Sequence, residues 1–575
     1  MSWTTPCQAQ SRIVIAAGAR YTRCLMDRRA SLVLLAVLAA GVFLAGLELM
    51  ITAVALPAIL ADLASWRDLR RASWIVNGYL LVYVVAMPLA GRLTDLWGAR
   101  RLFLGALALF VLGSLLAGAA RSLDQLLAAR LVQALGGGAL VPVATAAASH
   151  LFDGQARPRA LGVIGALTFL GMAAGPFLGA AILETLHVEP ALAARGIVAG
   201  PLVDLLAPAW RWVFYVNVPI GLTALVLAWA AGAGWETPRR PARLDLAGAL
   251  LSTVALAAGL VGLTLVDDAL PRHLLDLAYP PLALLVVSAV ALVLAVRHGL
   301  RRRDPFLDAR LLRERVFGAA ALVSLLTGYG FATAIIGGAV FVDRVLYGGP
   351  DSQRFVLGAL GGATALGAFT AGLLLRRLSL RLVTLGGLLA SALALGSMAT
   401  WSPATPIEAV AGAMAVFGLG FGLTVTPRST AALEAAGRGA FGIASATVTV
   451  ARMIGMAVGL AVLTAYGSTT IERLSVQVYA TPEAFRQFIP ADLRGRPFRD
   501  PLVVAALERW AAGEAARVMV GVFLVAGVVT LVALPPGLAL GAGTGGTRIL
   551  RPDRTAPPII PGAGGDESTD ERADR

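Results

Sequence analysis

Long apolar runs alternate along the chain with short polar stretches that are rich in arginine. Most runs have about twenty residues, the length that an α-helix needs to cross a hydrocarbon core of about 30 Å. They lie near residues 32–60, 72–91, 102–120, 123–151, 160–183, 213–233, 245–265, 281–297, 316–343, 352–375, 382–400, 407–427, 440–466 and 514–540. The pattern predicts an all-α polytopic membrane protein with about fourteen transmembrane helices.

Composition excludes several other classes of protein. Of the 575 residues, 58% are hydrophobic and 14% are charged, whereas soluble domains have about 25% charged residues. The net charge of +14 comes from residues at the ends of apolar runs, so it does not indicate a nucleic-acid partner. The sequence contains no lysine, which a P-loop or a Schiff-base enzyme requires. We therefore expect no enzymatic activity and an energy source other than ATP hydrolysis by this chain.

The arginines predict the orientation. If both termini are cytoplasmic, 30 of the 48 arginines lie in inside segments and nine lie in short outside segments. The positive-inside rule therefore predicts a multi-pass protein of the cytoplasmic (inner) membrane with both termini inside. The first 25 residues have no apolar segment of the signal-peptide type, and Met26 is an alternative start.

The distribution of polar segments predicts the domain organisation. Two basic stretches flank the seventh and eighth spans, so this pair reads as an insertion between two six-helix bundles. The predicted units are a cytoplasmic N-terminal segment (1–31), an N-terminal bundle (32–233), the inserted pair (234–315), a C-terminal bundle (316–540) with an extended outer segment (467–513), and a disordered cytoplasmic tail (541–575).

Cysteine and histidine do not form metal-binding patterns. Cys7 and Cys24 precede the first span, and the histidines are scattered without ligand spacing, at His150, His187, His273 and His298. We expect no disulfide, no metal and no cofactor.

The most specific motif is GRLTDLWGARR at residues 91–101, between the second and third spans. Gly91 and Gly98 permit a tight turn and a close helix approach, and Asp95 can cap a helix or bind an arginine. Arg100 and Arg101 hold the loop inside. The string resembles the signature loop of the major facilitator superfamily, which implies two six-helix bundles that alternate access and a gating role for these five residues.

Two further strings resemble motifs of exporters in that superfamily. In the fourth span, Arg130 is either paired within the membrane or extended to the nearby interface. In the fifth span, the antiporter motif combines a kinking proline with a stripe of glycines that allows close packing at the interface of the two halves, at Gly171, Gly175, Pro176 and Gly179. The resemblance is to the fourteen-helix drug:proton antiporter branch, which implies a proton gradient as the energy source and favours export.

Glu48 in the first span is the predicted proton-coupling residue. A carboxyl group in a low-dielectric span holds its proton more tightly than in water, so it can load and release a proton at cellular pH. Arg452 in the thirteenth span is the predicted partner, and Arg130 completes the coupling set. Alternating access would make and break the contact between Glu48 and Arg452; a static ion pair is the alternative.

Residues 73–95 and 441–459 look like the mycobacterial branch that exports triacylglycerol-type lipids beside a lipoprotein. An acid expected in the fifth span of that branch is absent, since Thr168 and Phe169 occupy the stretch. Export of drugs or amphiphiles and export of lipids therefore remain as competing hypotheses, with a hydrophobic small molecule or a lipid as substrate and a lipoprotein as partner in the second case. A non-transporting scaffold or sensor is the alternative of another class.

Overall fold

The computed structural model describes residues 28–63, 69–72, 74–231, 235–237, 239, 244–266, 276, 278–302, 304–306, 308–464 and 486–541. Several predictions concern residues outside this part of the chain: those for Cys7, Cys24, Met26, His273, most of the N-terminal segment, the first part of the extended outer segment (467–485) and the tail after Gly541.

In the described residues, 14 helices are long and apolar enough to cross a membrane, and there is no strand. The predicted fold class is confirmed. The spanning helices are α1 Arg28–Leu63, α2 Trp74–Trp97, α3 Ala99–Gly118, α4 Leu123–Leu151, α5 Ala156–Thr185, α6 Asn217–Ala230, α7 Leu246–Thr264, α8 Pro280–Arg301, α9 Arg315–Arg344, α10 Pro350–Leu374, α11 Leu380–Met398, α12 Ile407–Ala436, α13 Phe441–Val462 and α14 Pro501–Val532. α6 completes a span of 22 residues, Ala209–Ala230, together with the short helix that precedes it.

Short helices lie between or after the spans. They are Leu69–Ala72, Glu189–Ala193, Pro201–Leu206, Ala209–Tyr215, Ala309–Arg313 and Leu534–Ala539, with 3-10 turns at Arg438–Ala440, Arg486–Phe488 and Ala491–Leu493.

Three helix boundaries differ from the expectation in ways that affect function. α2 continues to Trp97, so Asp95 lies in a helical turn rather than in a loop, and only Gly98 separates α2 from α3. α12 does not end at Pro427 but continues to Ala436, because a proline costs a helix one backbone bond that tertiary packing can offset. α14 begins at Pro501, capped by Asp500, rather than near residue 514.

The helices form two bundles with the same internal pairing. In the first bundle α1 packs on α5, α2 on α4 and α3 on α6; in the second α9 packs on α13, α10 on α12 and α11 on α14. The bundles meet along two seams, α2 with α13 and α5 with α10. We call the end of the molecule with the α2–α3 turn the Asp95 face and the other end the distal face. Because the spans are even in number, the described chain begins and ends at the Asp95 face.

The inserted helices α7 and α8 pack on each other, and α7 also contacts α2 and α13. Asp245 joins their ends: it caps α7 through Gly248 N and accepts hydrogen bonds from His298 Nε2 at 2.9 Å and Phe306 N at 3.2 Å. Burial alone would raise the pKa of Asp245, but these hydrogen bonds outweigh burial and hold the pKa below its usual value. The pair is therefore a structured hairpin beside the α2–α13 seam.

Candidate functional site

Glu48 lies at the centre of a hydrogen-bond network within the first bundle. Its side chain is fully buried and forms an ion pair with Arg130 of α4. Thr52, one turn further along α1, donates to Glu48 Oε1 at 2.7 Å, and Asn217 Nδ2 at the start of α6 donates to Oε2 at 2.7 Å. Each of these partners donates to Glu48, so both of its carboxyl oxygens accept hydrogen bonds within the first bundle.

Arg130 is held by a second set of contacts. Its Nη1 also donates to Gln133 Oε1 at 2.6 Å, and its Nε donates to the carbonyl of Ile75 at 3.2 Å. The guanidinium lies 3.9 Å from the centre of the Tyr79 ring on α2. Because Arg130 is only 1% exposed, the alternative in which it extends to the membrane interface is not seen.

Glycines bring α5 against α1 on both sides of Glu48. A Cβ on Gly46 would lie 2.1 Å from the Thr168 carbonyl oxygen, and one on Gly171 would lie 2.3 Å from the Phe43 carbonyl oxygen. Gly175 and Gly179 face Leu47, Met50 and Ile51 of α1 in the same way. The stripe Gly171, Gly175, Gly179, next to Pro176, therefore packs within the first bundle. This corrects the expectation that it packs between the two halves.

The predicted partner of Glu48 is not its partner in this conformation. Arg452 lies on α13 of the second bundle, with its guanidinium 5.3 Å from the centre of the Phe169 ring. Glu48 instead binds donors from α1, α4 and α6, all in its own bundle. The spacing of residues in the sequence could not reveal this choice, since Arg130 and Arg452 are both arginines in spans.

Asp95 joins the two bundles at the Asp95 face. Its carboxylate oxygens accept hydrogen bonds from the backbone N–H groups of Gly442 at 2.8 Å and Ile443 at 3.0 Å, in the first turn of α13. A carboxylate at a helix N-terminus is stabilised both by unpaired N–H groups and by the helix dipole. Asp95 therefore acts as a helix cap across the interface between the bundles.

The glycines of the same motif make this contact geometrically feasible. A Cβ on Gly91 would lie 2.5 Å from the Gly442 carbonyl oxygen, so α2 and α13 cross with almost no space between their backbones. Gly98 has a φ of 91°, a region that side-chain-bearing residues rarely adopt, and it turns the chain into α3. Arg100 donates to the Trp229 carbonyl at 3.5 Å, whereas Arg101 is exposed.

Further contacts join the bundles at the Asp95 face, and at the distal face Arg354 of α10 binds Glu184 of α5 at 2.9 Å. Arg438 binds Asp153 at 2.6 Å, and a Cβ on Gly372 would lie 2.7 Å from the Pro158 carbonyl oxygen. Phe169 of α5 packs edge-on against Phe331 and Phe421 of the second bundle. The structure is therefore closed at the Asp95 face.

A groove follows the α5–α10 seam toward the distal face. It has a volume of 670 Å³ and an almost wholly apolar wall, formed by Leu170, Ala173, Ala174, Phe177, Phe355, Gly358, Ala359 and Gly362, with Asp351 and Arg354 at its distal end. Leu170, Ala174 and Phe177 lie on a different side of α5 from Phe169, next to α10. Leu170 and Phe177 are 43% and 46% exposed, so the groove opens on the outer surface of the spans.

The family follows from comparison with known proteins. The profile described as Major Facilitator Superfamily matches residues 38–460. The chain belongs to the Major Facilitator Superfamily. A triacylglyceride transporter of Mycolicibacterium hassiacum is 33% identical over 444 residues, which cover 75% of this chain and 78% of that protein. Multidrug resistance protein 3 of Bacillus subtilis is 27% identical over 426 residues, covering 73% of this chain and 77% of that protein.

Among solved structures, that of the human organic anion transporter MFSD10 (TETRAN) is similar with a TM-score of 0.56 and 17% identity. The likeness covers 89% of this chain and 99% of that chain, and at this identity it shows the fold alone. The resemblance to the Major Facilitator Superfamily is thereby confirmed, including the likeness to mycobacterial lipid transporters. The protein is a multi-pass membrane transporter rather than an enzyme.

Some residues of this facilitator's buried centres were not predicted from the sequence. Asn217 lies in the string WRWVFYVNVPIG, where an amide beside a span is the only local signal. Arg428 follows Pro427 and was placed in a loop, but it is 1% exposed inside α12. Thr52 and Tyr79 are a hydroxyl and an aromatic residue in apolar runs, for which packing is the default interpretation.

We expect Asp95→Asn to slow transport several-fold without unfolding the protein. The amide keeps one acceptor for the first turn of α13 but loses the charge, and a charged helix cap contributes about 1 kcal/mol. The initial efflux rate and the melting temperature should be measured together, with Asp124→Asn as a control at an exposed carboxyl. A normal rate in Asp95→Asn would contradict the gating role.

Proposed function

We propose that this transporter is a proton-coupled antiporter that exports lipid-like apolar or amphiphilic cargo across the cytoplasmic membrane by alternating access. The observation that carries the proposal is the Glu48 centre: an ionisable carboxylate, shielded from solvent, whose charge state determines whether Arg130 has a counter-charge. A proton-driven transporter needs such a group. The contact of Asp95 with α13 supplies a closure at one face.

The distribution of arginines supports an orientation of the transporter in the membrane. The Asp95 face contains the arginine-rich connections, so by the positive-inside rule it is the cytoplasmic face and both termini are cytoplasmic. The conformation is then closed toward the cytoplasm. Proton entry from the outer side would protonate Glu48 and remove the charge that Arg130 binds, which would favour the return to the cytoplasm-facing state.

The groove on the α5–α10 seam favours lipid cargo. It lies on the outer surface of the spans, where acyl chains of the bilayer have direct access, and its apolar wall runs between the two moving bundles. Relatives named triacylglyceride transporters support the same choice. Drug export is the second candidate, supported by the relative named multidrug resistance protein 3.

The described part of the extended outer segment suits a partner-binding role in lipid export. At about 1.5 Å per residue, the 32 residues of α14 measure about 48 Å, longer than the core of the bilayer. Ile489 and Leu493, which precede α14, form a small apolar cluster with Val503, Ala506 and Leu507 in its first turns. We propose that this extension guides lipid away from the membrane, with a lipoprotein as the acceptor.

The test compares two cargoes in everted vesicles under an imposed proton gradient. One is a fluorescent cationic dye and the other a fluorescent triacylglycerol analogue. Gradient-driven movement of the lipid analogue without the dye supports lipid export, movement of the dye without the lipid supports drug export, and movement of neither contradicts transport of both classes.

We expect Gly362→Phe to reduce movement of the lipid analogue several-fold and to leave the dye unchanged. A Cβ on Gly362 meets nothing within 4 Å, so the ring can occupy the groove without disturbing the fold. Gly412→Phe is the matched control, because Gly412 also faces open space but lies outside the groove. Equal effects of the two variants would show that the groove is not the lipid path.

A further inference from the structure

Two buried arginines of the second bundle lack a counter-charge. Arg428 on α12 is 1% exposed and Arg452 on α13 is 8% exposed. Arg428 Nη1 donates to Thr327 Oγ1, while the Nε atoms of both arginines are buried without a hydrogen-bond partner. Among the residues that the structure describes, neither arginine forms an ion pair, and the charge that acts on Arg428 is the like charge of Arg452.

Neither arginine can become neutral by losing its proton. A guanidinium stays charged in proteins, unlike a buried lysine or carboxyl group, so two neighbouring arginines repel each other and pay the full cost of burial. The faces of Phe421 and Phe169, each 5.3 Å from one guanidinium, compensate only part of that cost. The first bundle differs, since Arg130 is paired with Glu48.

Glu48 is not available to balance this charge in the present conformation. Both of its oxygens accept hydrogen bonds within the first bundle. In the fifth span, where a compensating acid would face Arg452, Phe169 presents its ring instead. The missing negative charge must therefore come from a molecule other than the described part of this chain.

The surroundings of the two arginines indicate what kind of anion fits. Phe331 and Phe421 stack with ring centres 4.4 Å apart, and Phe169 packs edge-on against both at 5.6 Å and 5.5 Å. These rings form a continuous aromatic wall beside the guanidinium groups. A small hydrated anion would gain nothing from such a wall, whereas the apolar body of an amphiphile would be buried against it.

We infer that Arg428 and Arg452 form a binding site for the oxyanion head group of an amphiphile, a carboxylate or a phosphate, with its apolar body against Phe169, Phe331 and Phe421. Arginine suits such a head group because its planar fork donates two parallel hydrogen bonds to an oxyanion. The inference deepens the proposed function, on which it rests, by specifying anionic amphiphiles as a cargo class.

The test measures binding of oleate, oleyl phosphate and methyl oleate to the full-length protein in a neutral detergent without a proton gradient. We expect at least one of the two anions to bind tenfold or more tightly than the ester. Arg428→Gln and Arg452→Gln should each weaken that binding about tenfold, Arg452→Lys should retain part of it, and Arg71→Gln, at an exposed arginine, should retain all of it. Binding of oleate alone assigns a carboxylate, and binding of oleyl phosphate alone assigns a phosphate.

Equal binding of the ester and both anions would overturn the inference. Binding of inorganic phosphate without any binding of the amphiphiles would also overturn it. A second readout guards against misfolded variants: because the charge is uncompensated, Arg452→Gln should keep or raise the melting temperature of the ligand-free protein. A clear decrease would mean that Arg452 already has a structural partner, and would also contradict the site.

The experiments distinguish failure of the anion site from failure of the proposed function. If the anions do not bind but the triacylglycerol analogue still moves under a gradient, the anion site is wrong and the exporter stands. If the anions bind as expected but no cargo responds to the gradient, the proposed proton coupling fails and the site remains.

Discussion

Replacement of Glu48 by glutamine should abolish gradient-driven accumulation of cargo while leaving downhill movement intact. Glutamine keeps an oxygen that can accept from Thr52 or Asn217, but it cannot exchange a proton. An ordinary coupling free energy of about 1–3 kcal/mol corresponds to a change of about 5- to 150-fold. We therefore expect the accumulation ratio in vesicles to fall by about tenfold or more.

Two variants separate coupling from folding in this experiment. Glu48→Asp keeps the carboxyl group on a shorter side chain and should retain part of the accumulation, whereas Glu408→Gln removes an exposed carboxyl at the start of α12 and should change nothing. Because Glu48→Gln leaves Arg130 without its counter-charge, its melting temperature must be recorded. Undiminished accumulation by a folded Glu48→Gln protein would exclude Glu48 as the coupling residue.

The structure also suggests how Glu48 and Asp95 can influence each other. Both centres contact α2: Arg130 stacks on Tyr79 in its first half, and Asp95 caps α13 from its last turn. Asp95 follows Tyr79 by 16 positions along α2, which corresponds to about 24 Å at about 1.5 Å per residue. Protonation of Glu48 would release Arg130 from its ion pair, so the contact of Arg130 with the Tyr79 ring would change. The packing of α2 against α13 would change with it. This makes α2 the connecting element between proton loading and closure.

The sequence predicts the positions of the helices more completely than it predicts the contacts between them. Runs of twenty apolar residues have few alternatives in a bilayer, so all fourteen spans were predicted close to their positions in the structure. Boundaries failed where a local rule was overridden, as at Pro427, where packing carries α12 past a residue that usually ends helices. Arg428 was misplaced as a consequence.

Partner choice within the site depended on tertiary packing. Glu48, Arg130 and Asp95 were recognisable because a charge inside an apolar run or a glycine-rich turn is costly unless it has a purpose. Which arginine binds Glu48 depends on how α1, α4 and α6 pack, whereas glycines such as Gly46 and Gly171 set the approach of α5 to α1. A glycine stripe in a sequence shows that some helix approaches closely, but not which one.

Gly442→Ala should prevent the closure at the Asp95 face. A Cβ at this position would lie 2.1 Å from the Gly91 carbonyl oxygen and 2.8 Å from Asp95 Oδ1, and the carbonyl belongs to the backbone of α2, which cannot rotate away as a side chain can. Overpacking of this kind costs about 1–3 kcal/mol, so the ratio of open to closed molecules should rise by about tenfold or more. Transport should fall accordingly, since the cycle requires both states.

Labelling of a single cysteine measures this shift directly. Val425 on α12 is buried where Gly165 of α5 faces it across the interface, 3.3 Å from a Cβ on that glycine, and it is not part of the α2–α13 crossing. In a protein whose native Cys7 and Cys24 are replaced by serine, Val425→Cys should react slowly with a maleimide, and Gly442→Ala should accelerate that reaction about tenfold. Gly105→Ala is the matched control, because a Cβ there meets nothing within 4 Å. If both alanine variants leave labelling slow, the close crossing of α2 and α13 does not control access from the Asp95 face.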